Sequence, residues 1–504
     1  MKSFTKIFIY TLLLLSATGL FIYLDYSDTT FLYDDVYSVF MAKASYGDIA
    51  KITASDVHPP LYYWGLKTFS AVFGESMFTL RLFSALGVVA TLLLGCFPVR
   101  RLFGDKVAIL FILLVILFPV TQYLVTEIRM YSWTMFFVLA CALSAYSIFD
   151  RGAKKDWLLF LVTGICASYL HNYGLLSIAG IYALLFIFLF RTNKNWKWVL
   201  VCGGIFTLVY MAWFLQLVNQ IGMVSEDYWI KPLTINDLFL HIYYFYSPKE
   251  VWLPFLDFTK VQMMVGLIVI MAIQLIITLK VFVGGYREKD KTVMLAAVAF
   301  IAFLIPIAIG ALISVTYLPV LVTRFMTCSF PLFALSLAFI LAKAIKYPLY
   351  KKLTCLFLLL LFIDGGVRLY SGIKYYDRME IANAKIRGFV MNGKLQPQRT
   401  IFLANSFSYH VMPRLQLIVP HNRFQVLVSD KTEDLRPFVL EKVSGEEFLH
   451  DEFVLVHQER EAIQSDFRKF RQSLDGLYMT TDSIHAADIY LYRMKKVTGL
   501  STVY

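Results

Sequence analysis

Two carboxylates stand side by side in Phe31-Leu32-Tyr33-Asp34-Asp35-Val36-Tyr37. Partial desolvation and mutual repulsion raise a carboxylate pKa, and a raised pKa makes a better general base. A solvated acidic loop has the same composition. His58-Pro59-Pro60-Leu61-Tyr62-Tyr63-Trp64 ends an extended segment and opens a helix suited to a membrane interface. His58 could bind an anion there or be an ordinary loop residue. Thr126-Glu127-Ile128-Arg129-Met130-Tyr131 puts an acid and a base at the edge of an apolar run. Ionisable groups at that depth point to function by default, although Glu127 and Arg129 also fit a local ion pair. Tyr228-Trp229-Ile230 and the Tyr-rich run His241–Tyr246 could line a cavity for lipid and sugar together, or form an interfacial aromatic belt. Arg324, in Thr323-Arg324-Phe325, can neutralise a phosphate with paired hydrogen bonds, or snorkel to the surface.

These residues need elements to hold them, and composition says which. The 504-residue chain is 59% hydrophobic and 16% charged, with a mean hydropathy of +0.64. Uncharged apolar runs of membrane-crossing length predict about eleven spans: 7–24, 80–99, 107–125, 130–149, 157–170, 173–190, 198–218, 261–280, 293–317, 325–342 and 353–370. The first run follows Lys2 and Lys6 and lacks a clear cleavage site, so it reads as an uncleaved span.

The net charge of +12 is distributed rather than patched, which argues against a nucleic-acid surface. Basic clusters fall after every second span: Arg100, Arg101 and Lys106; Arg151, Lys154 and Lys155; Arg191, Lys194 and Lys197; Arg287, Lys289 and Lys291; Lys343, Lys346, Lys351 and Lys352. By the positive-inside rule these face the cytoplasm with the N-terminus. The segment 157–190 must then turn once on the outer side, at His171-Asn172-Tyr173-Gly174. The two long outer connections, 25–79 and 219–260, hold most of the candidate residues, and connections that long are commonly functional.

Beyond Tyr370, β-rich runs at Thr400–Ala404, Phe424–Val428, Glu452–Val456 and Asp488–Tyr492 alternate with helix-like stretches at Asp434–Val443 and Glu459–Leu474. That alternation predicts a soluble α/β domain over 371–504 with a largely parallel sheet, on the outer side. It contains no Gly-rich phosphate loop. The six cysteines lie in or beside apolar runs at no metal or redox spacing.

The order of motifs over residues 1–370 resembles the GT-C superfamily of membrane glycosyltransferases, in the branch related to protein O-mannosyltransferases and the lipid A aminoarabinose transferase. The elements are Tyr33-Asp34-Asp35; the block from His58 through Phe73-Gly74-Glu75-Ser76 to Leu80-Arg81-Leu82-Phe83-Ser84-Ala85-Leu86; Glu127-Ile128-Arg129-Met130-Tyr131; and Thr323-Arg324-Phe325 with Pro331. The 58–86 block is the most specific. The resemblance implies inverting transfer of a sugar from a polyprenyl-phosphate donor to an acceptor hydroxyl on a lipid, glycan or protein, at the outer face of the cytoplasmic membrane. It gives the base to Asp34 or Asp35, with Asp standing at the second position where relatives often have Glu. It matches Glu127 to a second acidic position, and His58 and Arg324 to the donor phosphate. Arg129, Tyr131, His171, Tyr228 and Trp229 complete the expected substrate-binding set. No cofactor or metal is expected, although Asp34, Asp35 and Glu127 could hold a divalent ion. A transporter or lipid flippase is the competing class. It predicts charged or broken positions at mid-membrane, whereas here the charges sit at helix ends and Pro306 with Gly310 marks the one clear broken span.

Overall fold

The computed structural model describes residues 3–30, 32–224, 230, 232–248, 260–392, 401–405, 411–427, 438, 440–443, 450–458 and 464–497. The chain forms two compact units. One comprises Met1–Ser27 with Ser45–Gly372, the other Asp28–Ala44 with Ile373–Tyr504.

The first unit is helical. Among the described residues, nine helices are long and apolar enough to cross a membrane. The helix pair Asp105–Leu117 and Pro119–Thr126, bent by 63°, is long and apolar enough only when its two parts are taken together. The bend has a local cause: Phe118 precedes a proline, is pushed out of the α region to ψ 126°, and Pro119 then opens the next helix. Lys154–Leu170, in the segment expected as the fifth span, is a 17-residue helix. All eleven expected segments are therefore helical, with one of them broken. Thr323–Ala344 is the most buried span and forms the centre of this unit. Its first turns, Thr323–Ser329, are 3-10 helix.

Two short helices precede the second span. In Tyr46–Ala54, the Ser45 side chain accepts the Asp48 amide as N-cap. Leu61–Phe73 begins directly after Pro59-Pro60, and Tyr62 and Tyr63 are buried on its inner face. The turn expected at 171–174 is present. A Cβ on Gly174 would collide with the Ala167 carbonyl, so only glycine lets Asn172–Arg191 fold back this closely on Lys154–Leu170.

The second unit is built on a six-stranded mixed sheet ordered β3-β2-β1-β4-β6-β5. The strands are β1 Ile401–Asn405, β2 Arg423–Leu427, β3 Glu441–Val443, β4 Glu452–Gln458, β5 Tyr478–Ala486 and β6 Ile489–Lys496. β1 to β4 run parallel, while β6 pairs antiparallel with both β4 and β5. One face of the sheet packs Phe402, Val454 and Leu491 against Ile386 and Phe389 of the long helix Pro348–Asn392. Val36, from the helix Tyr33–Lys43, joins the same core. The other face packs Leu403, Leu455 and Met494 with Leu474 of the helix Gln464–Leu474.

The helix expected over Asp434–Val443 is corrected: its described part ends in β3, where Glu441–Val443 pair with Gln425–Leu427. A neighbouring strand with open hydrogen-bonding groups outweighed a weak helical pattern. The hairpin strand β5 was not foreseen, because it is largely exposed and carries no apolar alternation.

Candidate active site

Glu127 and Arg129 occupy the break between the helices Pro119–Thr126 and Tyr131–Asp150. Glu127 is extended at φ −83°, ψ 126°, and the Arg129 amide donates to the Glu127 carbonyl at 2.8 Å. This tight turn directs the Arg129 side chain inward, where it is buried. Its guanidinium donates to Tyr63 Oη at 3.0 Å and to His58 Nε2 at 2.9 Å. The Arg129 carbonyl accepts from Ser84 Oγ at 3.4 Å, and Ser84 in turn bonds Tyr62 Oη at 2.8 Å. His58, Tyr62, Tyr63 and Ser84, all within the 58–86 block, thus converge on one arginine. A histidine and a tyrosine are thus two of the partners that hold this guanidinium.

The charge states follow from donor chemistry. A guanidinium only donates, so His58 Nε2 must accept and carries no proton. His171 is set similarly. It is the N-cap of Asn172–Arg191, and its Nδ1 accepts the Tyr173 amide at 3.0 Å. Both imidazoles are therefore neutral, with His58 protonated on Nδ1 and His171 on Nε2. These two nitrogens are buried and have no hydrogen-bond partner among the described residues. Both rings lie outside the spanning helices, with centroids 5.3 Å apart. Burial, then the charge of Arg129, then His171 and Arg324 hold His58 well below the usual histidine range. Burial, Arg129 and Arg324 push His171 down to about 3.

A pH dependence follows. The unfolded chain takes up protons near pH 6.5 that the folded chain refuses, so stability is full above that pH and falls toward the low folded values. The slope is about 1.4 kcal/mol per pH unit for each buried neutral histidine. Thermal unfolding of the purified protein should give a flat midpoint above neutrality and a falling one below it. A His58→Gln/His171→Gln variant should lose that acid limb; an unaltered limb would show that other groups cause it.

Arg324 opens the 3-10 turn of the central helix. It lies near enough for its charge to act on both imidazoles, and the next residue, Phe325, packs 4.8 Å from the His171 ring. Tyr131 is fully buried, 5.5 Å from the same ring. Tyr244 was not singled out from the sequence, yet it belongs here. Burial first, then the charges of Glu127 and Tyr131, hold its phenol well above the usual range, and Arg324 acts oppositely. Tyr244 lies in the Tyr-rich run His241–Tyr246, but a run that lines a site and one that forms an interfacial belt have the same composition, so the sequence could not pick it out.

Beside this cluster lies a cavity of about 510 Å³. His58, His171, Asn172 and Gln220 contribute its polar lining, and the rest is almost wholly aliphatic and aromatic, including Tyr173 and Phe325. Asn172 Nδ2 donates to the Val57 carbonyl at 3.0 Å, which ties the His58 segment to the 171–174 turn.

The helical unit thus brings together His58, Glu127, Arg129, Tyr131, His171 and Arg324. Asp34 and Asp35 belong to the other unit, in the first turn of the helix Tyr33–Lys43. Asp35 is buried and Asp34 partly exposed, as expected of neighbours roughly 100° apart on a helix. Tyr228 and Trp229 lie outside the described residues. Among the described residues, no group of three or more His, Cys, Asp or Glu side chains could hold a metal ion.

The model of the dolichyl-phosphate-mannose-protein mannosyltransferase family matches residues 57–216. No curated protein matches the sequence. The crystal structure of ArnT from Cupriavidus metallidurans in the apo state is similar with a TM-score of 0.62 at 10% identity, over 96% of this chain and 97% of that one. The structure of the same ArnT bound to undecaprenyl phosphate gives 0.59 at 12% identity, with the same coverage. The family match thus spans the His58 and Arg129 motifs, and the fold is similar to that of ArnT along nearly the whole chain.

Proposed function

We propose that the protein is a membrane glycosyltransferase that takes its sugar from a polyprenyl-phosphate-linked donor and passes it, with inversion, to an acceptor hydroxyl at the outer membrane face. The observation that carries this reading is the placement of Arg129, bonded to neutral His58 and accompanied by Arg324, beside an apolar cavity. A polyprenyl phosphate has the matching chemistry: one anionic head and a long apolar tail. The cavity would take isoprene units, the guanidinium groups would take the phosphate, and the free N–H groups of His58 and His171 suit an acceptor-only phosphate oxygen.

In the reaction the acceptor oxygen attacks the anomeric carbon as the bond from that carbon to the phosphate oxygen breaks. The hydroxyl proton passes to a carboxylate. The phosphodiester, with one negative charge, becomes a lipid monophosphate with greater negative charge. Arg129 and Arg324 would bind that developing charge more tightly than the donor's, which is where their contribution to rate arises. The resemblance gives the base to Asp34 or Asp35 and a second acidic role to Glu127.

A transporter or flippase would move the same lipid without breaking the sugar–phosphate bond. Protein reconstituted with undecaprenyl-phosphate mannose or undecaprenyl-phosphate aminoarabinose, plus membrane glycolipid extract as acceptor, separates the classes. The expected product is undecaprenyl phosphate, formed in step with a glycosylated acceptor. Lipid crossing the bilayer with the sugar still attached would overturn the transferase reading. Glycan and lipid mass spectrometry of a deletion strain would identify the sugar that disappears.

A further inference from the structure

A basic cavity outside the proposed chemistry lies where the spanning helix Met77–Phe103 meets the next helix at Asp105. The helix is underwound there. Gly95–Val99 forms a π turn containing Pro98, which has no N–H to give to the α-helical ladder. The chain then reverses at Gly104, whose φ of +86° is left-handed. These two features leave a cavity of about 590 Å³ lined by Phe97, Pro98, Arg100, Arg101, Gly104 and Asp105, together with Cys96.

Its electrostatics are one-sided. Asp105 is matched twice, by Lys6 Nζ at 2.6 Å and by Arg100 Nε at 2.9 Å, and it also accepts from Tyr10 Oη at 3.3 Å. Arg100 stacks over the Tyr10 ring at 4.9 Å. Arg101 is exposed and has no ion pair among the described residues. Two cations therefore share one carboxylate, and Arg101 adds a further positive charge to the cavity lining. Above the cavity, Phe97 and Leu93 are exposed at 66% and 39% on one face of the spanning helix, four residues apart. A charged basin at a helix end, continued by an apolar stripe up that helix, matches a phospholipid with its phosphodiester below and an acyl chain above.

We propose that this cavity is a binding site for the headgroup of an anionic phospholipid, with Arg101 and Arg100 on the phosphodiester and the Phe97–Leu93 face along an acyl chain. Each basic residue near a charged bilayer contributes enough to change binding about fivefold. A neutral zwitterionic lipid offers the same phosphate but cancels it with its own ammonium group, so the site selects for net negative charge.

The test uses the full-length protein in bilayers of phosphatidylcholine with or without phosphatidylglycerol. Lipid retained after extraction is counted by native mass spectrometry. The wild type should retain phosphatidylglycerol in preference to phosphatidylcholine. Arg101→Gln should weaken that preference about fivefold. Lys155→Gln, which removes a basic residue from another helix start, should leave it unchanged. Excess glycerol 3-phosphate should not displace the lipid. Equal loss in Arg101→Gln and Lys155→Gln would mean diffuse surface charge, no loss in Arg101→Gln would mean no site at Arg101, and displacement by glycerol 3-phosphate would mean a soluble phosphate ligand. Each of those results overturns the proposal.

Discussion

Arg129→Ala is expected to lower the rate of sugar transfer by about 10²–10³-fold at saturating donor, the usual cost of removing a preorganised donor to a developing anion. The guanidinium is buried and pinned at two corners, by Tyr63 and by the unprotonated face of His58. Preorganisation of that kind matters more as charge grows on the leaving phosphate, so kcat should fall further than donor affinity. Arg129→Lys keeps the charge but not the planar fork, and should recover only part of the loss. Tyr63→Phe removes one of these bonds and should cost about tenfold, the equivalent of about 1.4 kcal/mol for a bond to a charged group. The measurements are turnover and the affinity for undecaprenyl phosphate, with the thermal midpoint as a control for folding. Wild-type turnover in Arg129→Ala would remove the cluster from the reaction.

This cluster also shows how far the sequence could be read. His58, Glu127, Arg129, His171 and Arg324 were identifiable because charged and imidazole groups at the ends of apolar runs are costly unless used. Their partners were not. His58 and Arg129 are 71 residues apart, and nothing in either motif announces that one accepts from the other. The same limit applies to Tyr244, whose phenol is acted on by Glu127, Tyr131 and Arg324, all distant from it in sequence. At fold level the helical segments were legible because each is long and uniformly apolar. The break at Phe118-Pro119 was signalled by its proline but falls inside one apolar run, so it read as a continuous span. Local patterns also could not reveal that Tyr33–Lys43, so close in sequence to the first span, contributes Val36 to the core of the sheet unit. That assignment is made by contacts with residues more than 340 positions later, such as the bond from Asn383 to the Thr29 carbonyl.

The position of Tyr33–Lys43 in the second unit gives the other large expected effect. If the first-loop acids supply the base, Asp→Asn at the acting position should lower transfer by about 10²–10⁴-fold. Burial separates the two candidates: Asp35 is 1% exposed, and Asp34 is partly open to solvent. Asp35→Asn and Asp34→Asn should therefore differ, and the variant with the deeper loss at an unchanged thermal midpoint identifies the base. Binding of undecaprenyl phosphate is the discriminating control, since that lipid carries no sugar and its binding involves no proton transfer. A base variant should bind it as the wild type does while transferring nothing. An Arg129 variant should be impaired in both. A position that lowers lipid binding and transfer together is acting through structure or through the phosphate, and its assignment as base fails. Full activity in both single variants and in Asp34→Asn/Asp35→Asn would remove the pair from proton transfer altogether. Glu127, buried where its charge already acts on Tyr244, would then be the carboxylate to test next.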